Sequence, residues 1–216
     1  MAVRLGIAGV RRAVIVAPHP DDEVIGAAGL IAALKRQGSD VQVIVVSDGA
    51  ASHPGSKRWP RKRLIAVRRQ ETLRALRRLA VLPGRVTFLG LPDGALAGHG
   101  ARCRHGLNRR LTLCAADLLV GPAASDAHPD HRAVAAALGQ WRSGARRLSY
   151  QVWPPCTRSG ARLQTVVTCG AAKRSLIRLH RTQLGAIADD PNGFAIARHE
   201  LAAFAHPIER FVEERR

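Results

Sequence analysis

The sequence predicts an α/β fold: one domain built on a mostly parallel sheet with helices on both faces. Three observations lead there. Continuous apolar runs of strand length, "AVIVA" at 13–17 and "VQVIVV" at 41–46, fit strands covered on both sides. Each is followed by a loop and a segment of helical periodicity, and this alternation implies right-handed crossovers. Finally, 216 residues with 46% hydrophobic against 23% charged are enough for one sizeable core.

The elements follow in order. After "AVIVA" comes "EVIGAAGLIAALKRQG", with apolar residues at helical spacing and Gly38 as a stop. "VQVIVVSDG" is the second strand, and a polar loop containing Gly and Pro follows it. A long basic helix over 64–81 places Leu64, Val67, Leu73, Leu76 and Leu79 near one face. "RVTFLGL" is the third strand, 107–116 a weaker helix, "DLLVGP" the fourth strand and "HRAVAAALGQW" the helix after it. Late strands are expected in "RRLSYQVW" and "LQTVVTCG", with a helix over "AKRSLIRLHRTQL". No repeat or linker cuts the chain, so residues 1–216 read as one Rossmann-like domain, with a core of about 12–185 and a C-terminal extension over 186–216.

Composition excludes several classes. No apolar run is long enough to span a bilayer, and two arginines interrupt what would be the apolar region of a signal peptide, so a cytoplasmic protein is expected. Cys103, Cys114, Cys156 and Cys169 form no CxxC pair and read as buried, reduced thiols. Lys and Arg number 34 against 16 acids, a net charge of +18, which would attract phosphate-rich partners or an anionic membrane surface. The cations are dispersed, however, with one tight cluster in "SKRWPRKR", and 4% aromatics leaves few stacking platforms, so no specific nucleic acid is expected.

One pattern stands out against this background: His-Pro-Asp occurs twice, in "PHPDDE" after the first strand and in "DAHPDH" after the fourth. In a parallel sheet both lie at the carboxyl ends of strands, where ligands bind, so the two can be neighbours. Helix capping explains Pro20, Asp21, Asp22 and Glu23 but not His19, nor the second copy before another helix. A metal site uses every residue. His19 and Asp22 reach one ion from a tight turn, and a histidine of the far loop adds a third ligand. Two histidines and a carboxylate suit zinc and also ferrous iron. Asp21, next to a ligand but directed elsewhere, is then placed to act as base toward an attacking water.

Taken in order, "PHPDDE", "SDG", "VRRQE", "LGLPDGAL", "DAHPDH", "VWPP" and "HRTQL" resemble the PIG-L (LmbE-like) family of zinc-dependent N-acetylglucosaminyl deacetylases, over residues 14 to about 184. The resemblance implies zinc on His19, Asp22 and His131, with Asp21 as general base. It implies that His128 stabilises the oxyanion and assists the leaving amine, that Asp130 orients a histidine, and that Asp126 belongs to the same motif. By the same likeness Arg68 holds a hydroxyl or phosphate of the substrate, Asp93 binds sugar hydroxyls, and His180 and Gln183 support the site. Each of the substrate residues has a plainer reading, Arg68 as one more cation of a basic helix and Asp93 as a turn residue. Pro18 stands where a small residue is commoner in the family, with little effect expected on the metal.

The implied reaction is hydrolysis of an acetamide to acetate and an amine, on a small-molecule or a lipid- or nucleotide-linked amino sugar. Two other readings stay open: a metal-dependent hydrolase of another bond in a phosphorylated substrate, and a non-enzymatic nucleic-acid binder with a steep salt dependence. Peripheral contact with an anionic membrane, the acceptor beyond the sugar and the oligomeric state are likewise open.

Overall fold

The structure is a computed structural model that describes residues 3–154, 163–167 and 169–214. Cys156 and the last proline of "VWPP" lie outside the described residues. Among the described residues eight strands form one sheet: β1 (Val3–Arg4), β2 (Arg12–Ala17), β3 (Asp40–Ser47), β4 (Val86–Leu91), β5 (Leu118–Pro122), β6 (Arg146–Tyr150), β7 (Leu163–Val167) and β8 (Ile208–Glu213). Their order across the sheet is β1-β7-β8-β6-β5-β2-β3-β4. Every pairing is parallel except those of β8, which runs antiparallel to both β6 and β7.

Side chains of the central strands alternate between two cores. Ala13, Ile15 and Ala17 face one, with helices α1 (Asp22–Arg36), α2 (Arg61–Arg78), α5 (Gly170–Ile177) and α6 (Arg198–Phe204). Val14 and Val16 face the other, with α3 (Gly100–Cys114) and α4 (Pro129–Gly139). Because both faces are dry, each central strand reads as an unbroken apolar run. Each fully buried Val, Leu or Ile contributes about 1.5–3 kcal/mol to this arrangement.

Several boundaries differ from the sequence reading. Helix α3 begins at Gly100 because a 3-10 turn over Leu96–His99 leads straight into it. The late helix ends at Ile177, and "RTQ" at 181–183 forms a separate 3-10 turn. Part of the expected C-terminal extension is inside the sheet, since β8 separates β6 from β7. Cys103 and Cys114 are buried and free as expected, whereas Cys169 is free but exposed.

Helix α1 is kinked at Ala27 (φ −146°, ψ 16°). The kink frees the amides of Gly29 and Leu30, which donate to the two carboxylate oxygens of Glu209 at 2.8 and 3.0 Å. Lys173 of α5 neutralises that carboxylate at 2.8 Å, and all of it is buried. A broken backbone ladder inside the core is thus satisfied by side chains of the last strand and the fifth helix.

Gly26, just before the kink, lets the Tyr150 ring lie against the helix; a β-carbon there would meet ring atoms at 2.4–2.8 Å. The ring has little room to move, because its hydroxyl donates to the Val16 carbonyl at 2.8 Å. A β-carbon at Gly121 would instead meet the end of the Leu138 side chain at 2.4 Å, a flexible tip that can turn away. Gly26→Ala is expected to lower stability by about 1–3 kcal/mol, and Gly121→Ala by less, in urea unfolding followed by circular dichroism.

Candidate active site

Strands β2 and β5 are parallel neighbours, paired through Ala13 with Leu118, Val14 with Leu119 and Ile15 with Val120. From β2 the chain winds to β3 and β4 on one side, and from β5 to β6 on the other, so the order of strands reverses between them. The crevice beyond the carboxyl ends at such a point is where open α/β sheets bind ligands. Both His-Pro-Asp segments lie there, the first between β2 and α1, the second between β5 and α4.

The two loops meet in a small triangle. His19 Nδ1 lies 3.1 Å from Asp22 Oδ2 and 3.2 Å from His131 Nε2, and His131 Nε2 lies 3.1 Å from Asp22 Oδ2. The far nitrogen of each ring faces carboxylates: His19 Nε2 stands 3.1 Å from Asp93 and 3.3 Å from Asp130, and His131 Nδ1 stands 3.1 Å from Asp126. Those acids assign the ring protons to the outer nitrogens, so the inner ones present lone pairs to each other and to an acceptor-only carboxylate. Three lone pairs converging in a buried space call for a cation. Ligand atoms about 2.0–2.1 Å from a tetrahedral zinc lie about 3.3–3.4 Å apart, close to the edges of this triangle. The donor set therefore fits zinc, with outer-shell carboxylates in the arrangement usual for metal-bound imidazoles.

The protonation equilibria point the same way. Burial would lower the affinity of His131 for a proton, yet Asp22 and Asp126 hold its pKa up at about 9. Burial alone would raise Asp22, but His131 and His19 keep it far below the usual carboxylate range. Both shifts reflect a field that favours positive charge at the triangle.

His128 caps α4, and its Nδ1 accepts the amide of Asp130 at 3.2 Å. Its ring centre lies 4.7 Å from that of His19 and 5.0 Å from that of His131. These three rings are close enough to share an ion. Because its Nδ1 accepts a hydrogen bond, the neutral His128 ring carries its proton on Nε2 and is a donor rather than a ligand. Burial, with His19 and His131 close by, holds its pKa below the ordinary value and keeps it neutral.

Asp21 lines the same pocket as the triangle, pairs with Arg68 rather than with a triangle atom, and is 6% exposed. Burial pushes its carboxyl up to about 7, aided by Asp22 and opposed by Arg68. Its backbone stands at φ 150° and ψ −25°, a region L-residues rarely occupy, at a cost of roughly 1–3 kcal/mol. Arg68 is 3% exposed; it donates to Gly49 O at 2.8 Å, Pro20 O at 3.0 Å and Asp21 Oδ2 at 3.2 Å. Gly49 (φ 70°) belongs to "SDG", and a β-carbon there would sit 2.8 Å from the Arg68 guanidinium, which explains that glycine.

The remaining expected residues gather at the same place. Asp93 reaches His19 with one oxygen and accepts the Ala51 amide at 2.9 Å with the other. Asp130 accepts Gly94 N at 2.8 Å and Leu96 N at 2.9 Å, which ties the "LPDG" turn to α4. Asp126 is 1% exposed and takes the amides of His128, Val152 and Trp153 at 2.9, 2.8 and 3.1 Å. Thr182 donates from its amide and its hydroxyl to Glu71, at 3.0 and 2.6 Å, and so fixes the turn that brings Gln183 to the pocket. His180 is fully buried behind it, and burial drives its pKa down to about 3.

The pocket over these groups has a volume of about 310 Å³ and is open to solvent. Ile25, Val152, Trp153, Phe194 and Ile196 form an apolar wall, in which the Trp153 and Phe194 rings meet edge-on at 6.2 Å. Sequence reasoning did not find this wall. Phe194, 41% exposed, comes from an irregular loop, and its exposure becomes meaningful only beside the pocket.

Comparison with curated protein sequences finds no match. Among solved structures, the conserved protein TT1542 from Thermus thermophilus superposes with a TM-score of 0.70 at 20% identity, covering 94% of each chain. The A40926 pseudoaglycone deacetylase Dbv21 gives 0.67 at 20% identity, covering 94% of this chain and 96% of that one. The N,N'-diacetylchitobiose deacetylase from Pyrococcus horikoshii gives 0.66 at 24% identity, covering 80% of this chain and 70% of that one. At these identities the likeness is one of fold. Residues 14–141, which carry both His-Pro-Asp segments, match the family described as PIG-L, GlcNAc-PI de-N-acetylase. With the family match spanning most of the chain and the fold shared throughout, the protein belongs to the PIG-L family.

Proposed function

We propose that the protein is a zinc-dependent N-deacetylase that removes the acetyl group from an N-acetylglucosamine-type conjugate, releasing acetate and a free amine. The observation that carries this reading is the triangle of His19 Nδ1, Asp22 Oδ2 and His131 Nε2, with Asp21 beside it at a pKa of about 7. Family membership and two neighbours named as deacetylases, of N,N'-diacetylchitobiose and of the A40926 pseudoaglycone, support it.

His19, Asp22 and His131 would hold the zinc. When bound, zinc supplies Lewis acidity, polarising the acyl carbonyl and acidifying a water. Asp21 takes a proton from the attacking water at its carboxylate; a base that titrates near neutrality is well matched to this step. His128, with a proton on Nε2, donates to the oxygen that becomes negative as the carbonyl turns tetrahedral. The proton that Asp21 takes from the water is the one passed on to the departing amine, while the neutral His128 ring keeps its own. Asp126 and Asp130 keep the two ligand rings in the tautomers they need. Asp93 and Gln183, which line the pocket, are the groups we assign to contact with sugar hydroxyls, and the Trp153 face is suited to the sugar or the group attached to it.

The metal assignment has a direct test. Wild-type protein is expected to hold one zinc per chain after dialysis, and Asp22→Ala and His131→Ala to hold none, by elemental analysis and chelator competition. Loss of acetate release should follow the metal, and zinc retained in both variants would remove Asp22 and His131 as its ligands.

Asp21 and His128 should separate from the ligands in kinetics. Asp21→Asn and His128→Ala are expected to keep zinc, with kcat reduced roughly 10²–10⁴-fold and 10²–10³-fold respectively. In the wild type kcat should rise with pH as Asp21 loses its proton. The midpoint is expected at or below about pH 7, since a cation in the triangle lowers the Asp21 pKa, and Asp21→Asn should flatten this limb. An unchanged pH limb in Asp21→Asn would assign the base elsewhere.

A further inference from the structure

Asp21 is held in its strained conformation from both ends of one peptide group. The Pro20 carbonyl accepts from Arg68 Nη2 at 3.0 Å, and the Asp21 amide of the same peptide donates to Glu23 Oε2 at 3.0 Å. Both clamping side chains are buried, Arg68 at 3% and Glu23 at 0% exposed. Arg68 is itself anchored, because its Nη1 donates to Gly49 O at 2.8 Å across the gap left by the missing β-carbon of that glycine. The guanidinium also touches the Asp21 carboxylate at 3.2 Å. Arg68 borders the pocket, but its Nη2 is engaged by the loop that carries Asp21 and its Nη1 by the turn after β3, so the guanidinium ties those two segments together.

We infer that Arg68 and Glu23 are positioning residues, acting together as a clamp on the Pro20–Asp21 peptide that holds the Asp21 backbone at positive φ. With this backbone the Asp21 carboxylate meets Arg68 while that of its neighbour Asp22 meets the two imidazoles, so two adjacent acids serve different targets. Without the clamp Asp21 relaxes to ordinary negative φ and its carboxylate leaves the reacting atoms; a misplacement of about 1 Å can cost about 100-fold in rate. Glu23 is Asp21's own near neighbour in the first turn of α1, so one end of the clamp forms as the helix forms. Arg68 arrives from α2 and closes the other end only when the two helices have packed.

Crystal structures of wild type, Arg68→Met, Glu23→Leu and Glu23→Gln test this directly, with zinc content and steady-state kinetics measured on the same preparations. Wild type and Glu23→Gln, which keeps an acceptor oxygen, should show Asp21 at positive φ. Arg68→Met and Glu23→Leu should show it relaxed to negative φ, with zinc retained. In these two variants kcat is expected to fall about 100-fold with KM changed less than about 2-fold, and Glu23→Gln to stay within about 3-fold of wild type. Millimolar guanidinium, entering by the pocket, should restore part of kcat to Arg68→Ala. Asp21 at positive φ in both Arg68→Met and Glu23→Leu would overturn the clamp, as would a rise in KM with kcat unchanged for Arg68→Met. Should Arg68→Met fail to fold, Glu23→Leu carries the same readings. The kinetic half rests on the deacetylase reading, and the conformation of Asp21 does not. If wild type releases no acetate from acetylated amino sugars, that reading fails, and the crystal structures still decide the clamp.

Discussion

The pairing of β2 with β5 is the constraint on which the rest depends. Residues a hundred positions apart in sequence become neighbours because Ala13, Val14 and Ile15 pair in parallel register with Leu118, Leu119 and Val120. A parallel pair points both strand ends the same way, so each loop that follows opens on the same edge of the sheet. His19 and His131, whose ring nitrogens stand 3.2 Å apart, are a consequence of that register. A slip of one residue would turn Ile15 toward the opposite core and carry the two loops out of reach of one another.

Charge is distributed in two opposed ways. The chain carries a net +18, and much of that charge is on solvated faces, with Arg74, Arg77 and Arg78 exposed on α2 and Arg102, Arg104 and Arg109 exposed on α3. The acids are gathered at the centre: Asp21, Asp22, Glu23, Asp93, Asp126 and Asp130 are six of only sixteen in the sequence. Buried carboxylates at this density repel one another, and the structure answers with imidazoles, backbone amides and Arg68. A basic exterior around an acidic centre lets anionic ligands approach the surface while the centre itself selects for a cation.

The sheet and the two histidine loops were legible in the sequence because their signals are local and chemical. Unbroken apolar runs identify strands buried on both faces, and no packing requirement explains His19 before Pro20 or His131 after Asp130. Arg68 and Arg69 could not be told apart by sequence, since both are cations on one basic helix. The structure separates them: Arg68 passes inward through the Gly49 gap, and Arg69 lies over the Phe88 ring at 5.3 Å. Strand β8 was missed for a related reason. "IERFVE" is short and puts Glu209 where an interior strand should be apolar, and that charge is tolerable only because Lys173 and two amides of α1 await it. Phe194 gave no periodic signal, and its value lies in what it stands beside.

The position of β8 also orders the assembly of the molecule. As the chain leaves the ribosome, β2 to β6 can join as soon as Tyr150 has emerged, which completes the edge that bears the ligand loops. Strand β7 cannot follow, because its place in the sheet is beside β8 and the intervening chain must first be made. Strand β1 pairs with β7 and so depends on the same late strand. The arrival of β8 therefore admits β7 and β1 to the sheet and delivers Glu209 to the kink of α1, five residues beyond the turn that holds Asp21 and Asp22. The strand that completes the sheet is also the one that completes the helix carrying the site.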